Sequence, residues 1–522
     1  MQMPKYYDDA WVVPTNESVQ VDVCVYGGNA AGVTAAVSAT EEGKSCLLLH
    51  PGRFLGGMTS GGLSYTDTGN PAAIGGASRR FYESVGRRYA EGVRWTFEPH
   101  VASEVLHHLL ADSKVRVRTG EFIHDATVTG RNVDEIRMLS GLRVRATVFI
   151  DTSYEGDLMA RCHVPYVVGR EAGAEFGEQY AGVQMHPSHQ FDVDVSPYAR
   201  EHTPASGLLP FVKPAHVSSP DELCLRAGDT SVQAYNFRVC MTKDARIRRD
   251  FPKPPRYDRA PYVLAARWLA GTSGDVFRKF DHITEVKTDT NNHGAVSTDH
   301  IGGSHAWPEA DYRTRELIFQ DHLRYQQGLH WFMANDPEVP DSIRTEYAQW
   351  GLAADEFTQT DNWPHQLYIR EARRMRSDVV VTEHDCMGRN ACEDPIGLAA
   401  YQMDSHNCNR LSFGDVVRNE GDVQVKLPAP YGISYRAIVP PSGYAENLFV
   451  PVCLSSSHIA YGSVRMEPVF MVLAESAAVA ACQCVDTRTP VQGVIYETLR
   501  RRLVERNQVL HTEVRNTEDI NP

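Results

Sequence analysis

Residues 21–50, VDVCVYGGNAAGVTAAVSATEEGKSCLLLH, decide the fold. The β-branched run VDVCVYGG (21–28) ends in glycines and reads as a buried parallel strand. An alanine-rich helix follows over 30–42, with Gly43 as a left-handed cap, and CLLLH (46–50) supplies a second buried strand. Strand, helix and strand within about thirty residues form a βαβ unit, the building block of an α/β parallel sheet.

The turn is Gly27-Gly28-Asn29-Ala30-Ala31-Gly32. A dinucleotide fingerprint needs one glycine for the tight turn, one where a pyrophosphate approaches and one where helix meets strand. Gly27 and Gly32 have the spacing, and Asn29 takes the middle place. The opening N–H groups of the helix still offer an anion site. At the end of the second strand, where an acidic residue usually receives the ribose, His50 stands. The competing reading is a glycine turn of ordinary α/β packing. PGRFLGGMTSGGLSYTDTG (51–69) favours the nucleotide, because Gly56 and Gly57 after Arg53 let the backbone lie against a flat ring. A flexible surface loop is the alternative there.

Further along, short strands are predicted at 115–120, 125–130, 136–139 and 143–151, a meander that returns to the main sheet. From 166 to about 365 proline, histidine and aromatic residues rise, which reads as an irregular insertion. It holds a helix over 310–335 with a stripe of Leu317, Phe319, Leu323 and Tyr325. Residues 447–454 read as a buried strand and 467–484 as a helix with Pro468 in its first turn.

With 522 residues, 42% hydrophobic and 23% charged, the chain has material for about three folding units. A net charge of −14 opposes a general nucleic-acid partner. The eleven cysteines form no C-x-x-C pair and no zinc-type spacing, so packing thiols and no metal are expected. The N-terminus lacks a signal-peptide pattern, and the apolar stretch 469–482 is broken by Glu475 and short for a bilayer. A cytoplasmic location and no membrane partner are therefore expected.

In many separated segments the chain resembles the FAD-dependent oxidoreductase family, a branch of the glutathione-reductase-type flavoprotein superfamily. The likeness runs through VDVCVYGGNAAGVTAAV, PGRFLGGMTSGGLSYTDTG, TFEPHVA (96–102), FIDTSYEGDLMA (149–160), VQAYNFRVC (232–240), TDTNNHGAVSTDHIG (288–302), LYIREARRM (367–375), YQMDSHNCNR (401–410) and SSSHIAYGSVRMEPVFMVL (455–473). It implies a Rossmann-like FAD-binding domain, discontinuous in sequence, with an inserted α+β substrate domain. The division expected is a leader over 1–20, FAD-binding parts over 21–165 and 381–485, an insertion over 166–380 and a tail helix over 486–522. The resemblance further implies that Gly27, Gly28, Asn29, Ala30, Ala31 and Gly32 bracket the FAD pyrophosphate, with His50 at the ribose. Arg53, Gly56, Gly57, Met58 and Ser60 would line the cofactor, and Asp151 would close its domain. Gly462, Ser463 and Met466 would return to the flavin, with the last helix aiming its N-terminus at the pyrimidine edge. The family usually has Gly at position 29 and Glu at position 50.

Flavin oxidation beside an oxygen or nitrogen requires a base for the heteroatom proton while hydride leaves to N5. His406, in Met403-Asp404-Ser405-His406-Asn407, and His458 are the candidates, with His100 behind them. Each competes with a plain packing role in a chain of 21 histidines. Arg465 is expected beside the flavin. Arg370 and Arg374 read as one face of a helix, either an anion clamp or a solvated surface. Trp307, Trp331, Trp350 and Trp363 read as a ring-binding floor or as core. The expected activity is removal of hydride from a small polar, hydroxylated substrate, sugar-derived or a secondary metabolite. The reoxidant is oxygen or another carrier, and a homo-oligomer is compatible. The rivals are an NADP-dependent reductase, suggested by His50 and Arg53, and a catalytically inert flavin-binding scaffold.

Overall fold

The computed structural model describes residues 3–511. Its central sheet contains β1 (Ser18–Tyr26), β2 (Cys46–His50), β3 (Arg116–Thr119), β4 (Ile123–Thr129), β5 (Asn132–Met138), β6 (Arg143–Asp151) and β7 (Leu448–Phe449). The order is β3-β2-β1-β6-β5-β4. β1 lies parallel to β2 and to β6, with Val23 opposite Cys46 and Val148. β4 and β5 form the antiparallel meander, while β7 returns parallel to the end of β6, Leu448 opposite Phe149. The fold is therefore α/β with a parallel-rich sheet whose strands come from distant parts of the chain.

Burial on both faces explains why β1 reads as a continuous apolar run: Val23, Cys24, Val25 and Tyr26 have no exposure. Helix α1 (Ala30–Glu41) covers one face with alanines small enough for close approach. Three further helices are used below: α2 (Tyr312–Asn335), α3 (His458–Val464) and α4 (Glu467–Thr487). α4 packs on α1 and over β6. It outruns the apolar stretch read from sequence. By length and composition it could cross a membrane, yet 94% of its most apolar window is buried inside the protein.

A second sheet orders Arg248–Arg249, Gly351–Ala353, Val239–Thr242, Lys287–Thr290 and Phe280–His282 in antiparallel pairs. α2 packs beside it through Phe319, which meets Phe237 edge-on at 5.1 Å. Leu317 leaves the expected stripe and is 70% exposed, because two helical residues apart is about 200° around the axis. Residues 370–376 are not helical. Arg374 and Met375 pair as a short strand with Val167 and Tyr166, so tertiary pairing overrides helix propensity. Nor is that stretch a solvated face, since Arg370 and Arg374 are buried against acidic partners. Trp307, Trp350 and Trp363 are core. The leader is pinned to α2, where Glu316 accepts the N–H groups of Tyr6 and Tyr7 at 2.7 and 3.0 Å. Of the expected tail helix, Tyr496–Glu505 is helical, and residues 512–522 lie outside the described residues.

Candidate functional site

The glycine turn is built by close backbone approach. Gly27 has φ +110°, and a Cβ there would stand 2.5 Å from the Ser153 nitrogen. A Cβ on Gly32 would stand 1.8 Å from the Gly27 carbonyl oxygen. Asn29 serves as the helix cap: its Oδ1 accepts from Gly32 N–H at 2.8 Å and its Nδ2 donates to the Thr152 carbonyl at 2.6 Å. The residue that departs from the fingerprint thus fastens the turn to the end of β6. Ala30 and Ala31 open α1, where N–H groups have no intrahelical acceptor.

A narrow cleft opens on this turn at the carboxyl ends of the strands. Gly27, Gly28, Asn29, His50, Arg53 and Gly57 line it together. Gly28 N–H donates to His50 Nδ1 at 2.9 Å. Burial pushes the His50 pKa down to about 4, so the ring is neutral and carries its proton on Nε2. The cleft also takes in Lys5 and Tyr6, Ser153 to Glu155, and His365 to Leu367, none of which sequence reasoning selected. The segment after β6 carried a usable signal, because ligands bind at strand carboxyl ends. Residues 5 and 6 carried none.

Gly56, Met58 and Ser60 stand behind this wall. Gly56 N–H donates to the Gly28 carbonyl at 2.7 Å, and Ser60 Oγ donates to the Leu55 carbonyl at 2.7 Å. Asp151 is fully buried, with its pKa pushed up to about 6 by burial, and accepts from Ser153 and Met159 N–H groups. It shapes the loop that carries Ser153 to Glu155.

A second cavity lies elsewhere in the protein, and residues at the start of α4 shape its wall. Glu467, in the first turn of α4, accepts from Thr59 Oγ1 at 2.6 Å and Tyr154 OH at 2.7 Å. Burial pushes its pKa up to about 7. Met466 caps that helix. Two residues before Glu467, Arg465 donates to Tyr368 OH at 2.9 Å and to Asp404 Oδ2 at 3.2 Å. On α3, Ser463 Oγ donates to the Tyr401 carbonyl at 2.5 Å, and Gly462 leaves room for the Asp404 backbone. Gly462, Ser463 and Arg465 thereby hold the wall of the second cavity.

That cavity, of about 430 Å³, is polar; Asp67, His189, Arg238, Tyr401, Asp404 and His406 are among its lining residues. His406 Nδ1 lies 2.7 Å from Asp299 Oδ2, and its Nε2 lies 3.4 Å from Asp404 Oδ2. Burial and the Arg370 guanidinium favour the neutral ring, but the two carboxylates outweigh them and raise its pKa above the ordinary imidazole value. Burial also acts on Asp299, yet Arg370 and His406 beside it hold its carboxyl down to about 2. For Asp404, His406, then Arg465 and Arg370, overcome burial in the same direction. His458 lines neither cavity. Its Nε2 meets Ser405 Oγ at 2.9 Å and its Nδ1 meets Glu371 Oε2 at 2.8 Å. His100 sits elsewhere, on Glu356 at 2.7 Å. With Glu98 these groups have metal-like spacing, but the Lys287 ammonium stands 2.8 Å from both Glu98 and Glu356 and supplies the positive charge.

Strand, glycine turn, helix cap and cleft define a dinucleotide-binding α/β protein. The model of the family described as FAD dependent oxidoreductase matches residues 22–503, and the chain belongs to that family. The residues present fit FAD: Gly27, Gly28 and the cap residue Asn29 line the cleft where α1 begins, and His365 Nε2 lies buried on the cleft wall without a protein partner among the described residues. No curated protein matches the chain. Solved structures overlap it partially. L-proline dehydrogenase from P.horikoshii is 12% identical, with a TM-score of 0.18 over 30% of this chain and 25% of that one. Thioredoxin reductase from T. acidophilum is 20% identical, with a TM-score of 0.18 over 25% and 34%. Aquifex aeolicus GidA is 15% identical, with a TM-score of 0.21 over 29% and 32%.

Proposed function

We propose that the enzyme removes hydride from a small polar, hydroxylated substrate, sugar-derived or a secondary metabolite, in the cavity of Asp404 and His406. FAD, when bound, supplies flavin N5 as the acceptor of that hydride. The observation that carries the reading is His406, set between two carboxylates on the wall of a polar cavity. As the substrate C–H bond breaks, the hydroxyl proton passes to His406 and a carbonyl is left. The ring must be neutral to accept it, so the rate rises with pH through the raised pKa of His406.

In this reading Asp299 and Asp404 orient the imidazole and stabilise its cation. Arg465 ties Asp404 to Tyr368. His458, enclosed by Ser405 and Glu371, is a positioning residue for the Asp404–His406 segment. Gly27 to Gly32 would receive the diphosphate, Arg53 and Gly57 would flank the cofactor, and His50 would donate to the ribose. Oxygen or another carrier would reoxidise the enzyme, in the cytoplasm.

Anaerobic mixing of the yellow holoenzyme with a panel of alcohols, sugars and amines tests this. Bleaching by a hydroxylated compound, and not by its deoxy analogue, supports the reading. Absence of bleaching by every hydroxylated compound overturns it in favour of a scaffold.

A further inference from the structure

Beside the polar cavity, positive charge is concentrated around one ring, that of Tyr368. Arg238, Arg370 and Arg465 place their guanidinium carbons 6.0, 4.7 and 5.6 Å from the Tyr368 ring centroid. All three side chains are at least nine-tenths buried. Each is fixed on one edge by a carboxylate. Arg238 donates Nε and Nη2 to Asp289 at 2.8 Å, Arg370 Nη1 lies 3.0 Å from Asp299 Oδ1, and Arg465 Nη2 donates to Asp404. Arg370 Nη1 also donates to the Ala234 carbonyl and Arg465 Nη1 to Tyr368 OH, while Arg238 Nη1, Arg370 Nε and Nη2, and Arg465 Nε have no protein partner among the described residues.

A buried donor left unpaired costs about 1–3 kcal/mol, and more when it is charged. Four such nitrogens around one ring are best explained by an acceptor-rich ligand. Planar guanidinium edges match an oxyanion in particular. Arg238 lines the large polar cavity directly; Arg465 adjoins it through Asp404, and Arg370 stands one residue further back, on the Asp299 that holds His406. Arg278 and Lys279 add cationic groups to the same cavity. Asp67, Asp192, Asp275 and Asp281 also line it, so the attraction is local to the guanidinium edges rather than general.

We propose that Arg238, Arg370 and Arg465 form an oxyanion-binding site, so that the hydroxylated substrate also carries a carboxylate or phosphate group. The substrate assignment rests on the function proposed above, but the anion site can be measured without turnover. Asp289 fixes which edge of Arg238 is free, since it also accepts from Ser64 and Tyr65 N–H groups and cannot turn away. The oxyanion would anchor one end of the substrate and leave its hydroxyl to His406.

The test titrates the holoenzyme with oxalate and, separately, with inorganic phosphate, following perturbation of the visible flavin spectrum. Saturable perturbation by one of them is expected, and which one saturates distinguishes carboxylate from phosphate. Arg238→Lys keeps a cation against Asp289 while removing the free planar edge, so it is expected to retain FAD and bind the probe about tenfold or more weakly. Arg370→Lys should weaken the same titration. Anaerobic bleaching is then compared between hydroxy acids, sugar phosphates and neutral polyols. Bleaching by neutral polyols alone, with neither anion binding, overturns the oxyanion site and leaves the proposed function standing. Anion binding that Arg238→Lys and Arg370→Lys leave unchanged overturns it too. Anion binding lost in both variants, with no bleaching by any hydroxylated compound, supports the site and sinks the proposed function.

Discussion

The glycine-turn cleft and the Asp404–His406 cavity are built in opposite ways. The cleft is made of backbone: a left-handed Gly27, a Gly32 with no room for a side chain, amides opening α1, and an Asn29 cap tied to Thr152. Its specificity comes from exclusion, since a Cβ at Gly27 or Gly32 strikes main chain. The cavity is made of side chains drawn from residues 67, 238, 404 and 406, with 299, 370 and 465 behind them. Its character comes from opposed charges held out of water. Substitutions in the first should therefore abolish cofactor binding, and those in the second should change chemistry while the protein remains yellow.

The largest expected effect breaks the first region. Gly32→Ala places a Cβ 1.8 Å from the Gly27 carbonyl oxygen, so the turn must open or the helix must shift. Overpacking against main chain costs on the order of 3 kcal/mol. Flavin content after purification should fall to near zero, as read by absorbance of the isolated protein. A fully yellow Gly32→Ala protein would show that the turn is not the diphosphate site. In the second region, His406→Ala should leave flavin content intact and lower the rate of anaerobic bleaching by about 100- to 10,000-fold, the range for a lost general base. Equal rates in variant and parent would remove His406 from the chemistry.

That contrast also explains what could be read in advance. Backbone sites leave local marks, so residues 21–50 declare strand, turn, helix and strand, and the family resemblance adds Arg53 and Gly57, which share the cleft. Asn29 looks like a defect in sequence, because its capping bonds involve Thr152, far away in the chain. Side-chain sites leave weak local marks. His406 stands out through its polar neighbours, but Asp299 and Arg238 become partners of this site only through the second sheet and the chain around it. Residues 370–376 mislead for the same reason: helical propensity is outweighed once Asp299 and Glu171 claim Arg370 and Arg374. His458 shows the reverse case, a histidine in a promising segment that packs between Ser405 and Glu371 and lines neither cavity.

Glu467, bonded to Tyr154 of the cleft, gives a smaller effect. Burial raises its pKa from 4.5 to about 7, so the folded protein holds this proton more tightly than the unfolded chain. Its contribution is present below about pH 4.5 and is lost as pH rises through about 7, a change of order 3 kcal/mol. Glu467→Gln cannot ionise, so its unfolding free energy should decline less than the parent's between pH 5 and 8. Urea titrations at several pH values measure the difference. Identical slopes would mean that the Thr59 and Tyr154 hydroxyls stabilise the carboxylate enough to cancel its burial.

The finest test acts inside the second region. Asp299 and Asp404 together lift the His406 pKa against burial and Arg370, so the neutral base accumulates only as pH rises above the ordinary imidazole value. Asp299→Asn keeps the shape of the side chain beside His406 Nδ1 and removes one of the two charges. The pH at which bleaching reaches half its maximal rate should then fall, by about one unit for loss of one adjacent opposite charge. Above that range the rate should be little changed, since the base is already neutral in both proteins. The direction decides between roles for the pair. A shift to lower pH identifies Asp299 as a group that holds the imidazolium, whereas a uniform loss at every pH identifies it as a strut for Arg370, which it meets at 3.0 Å.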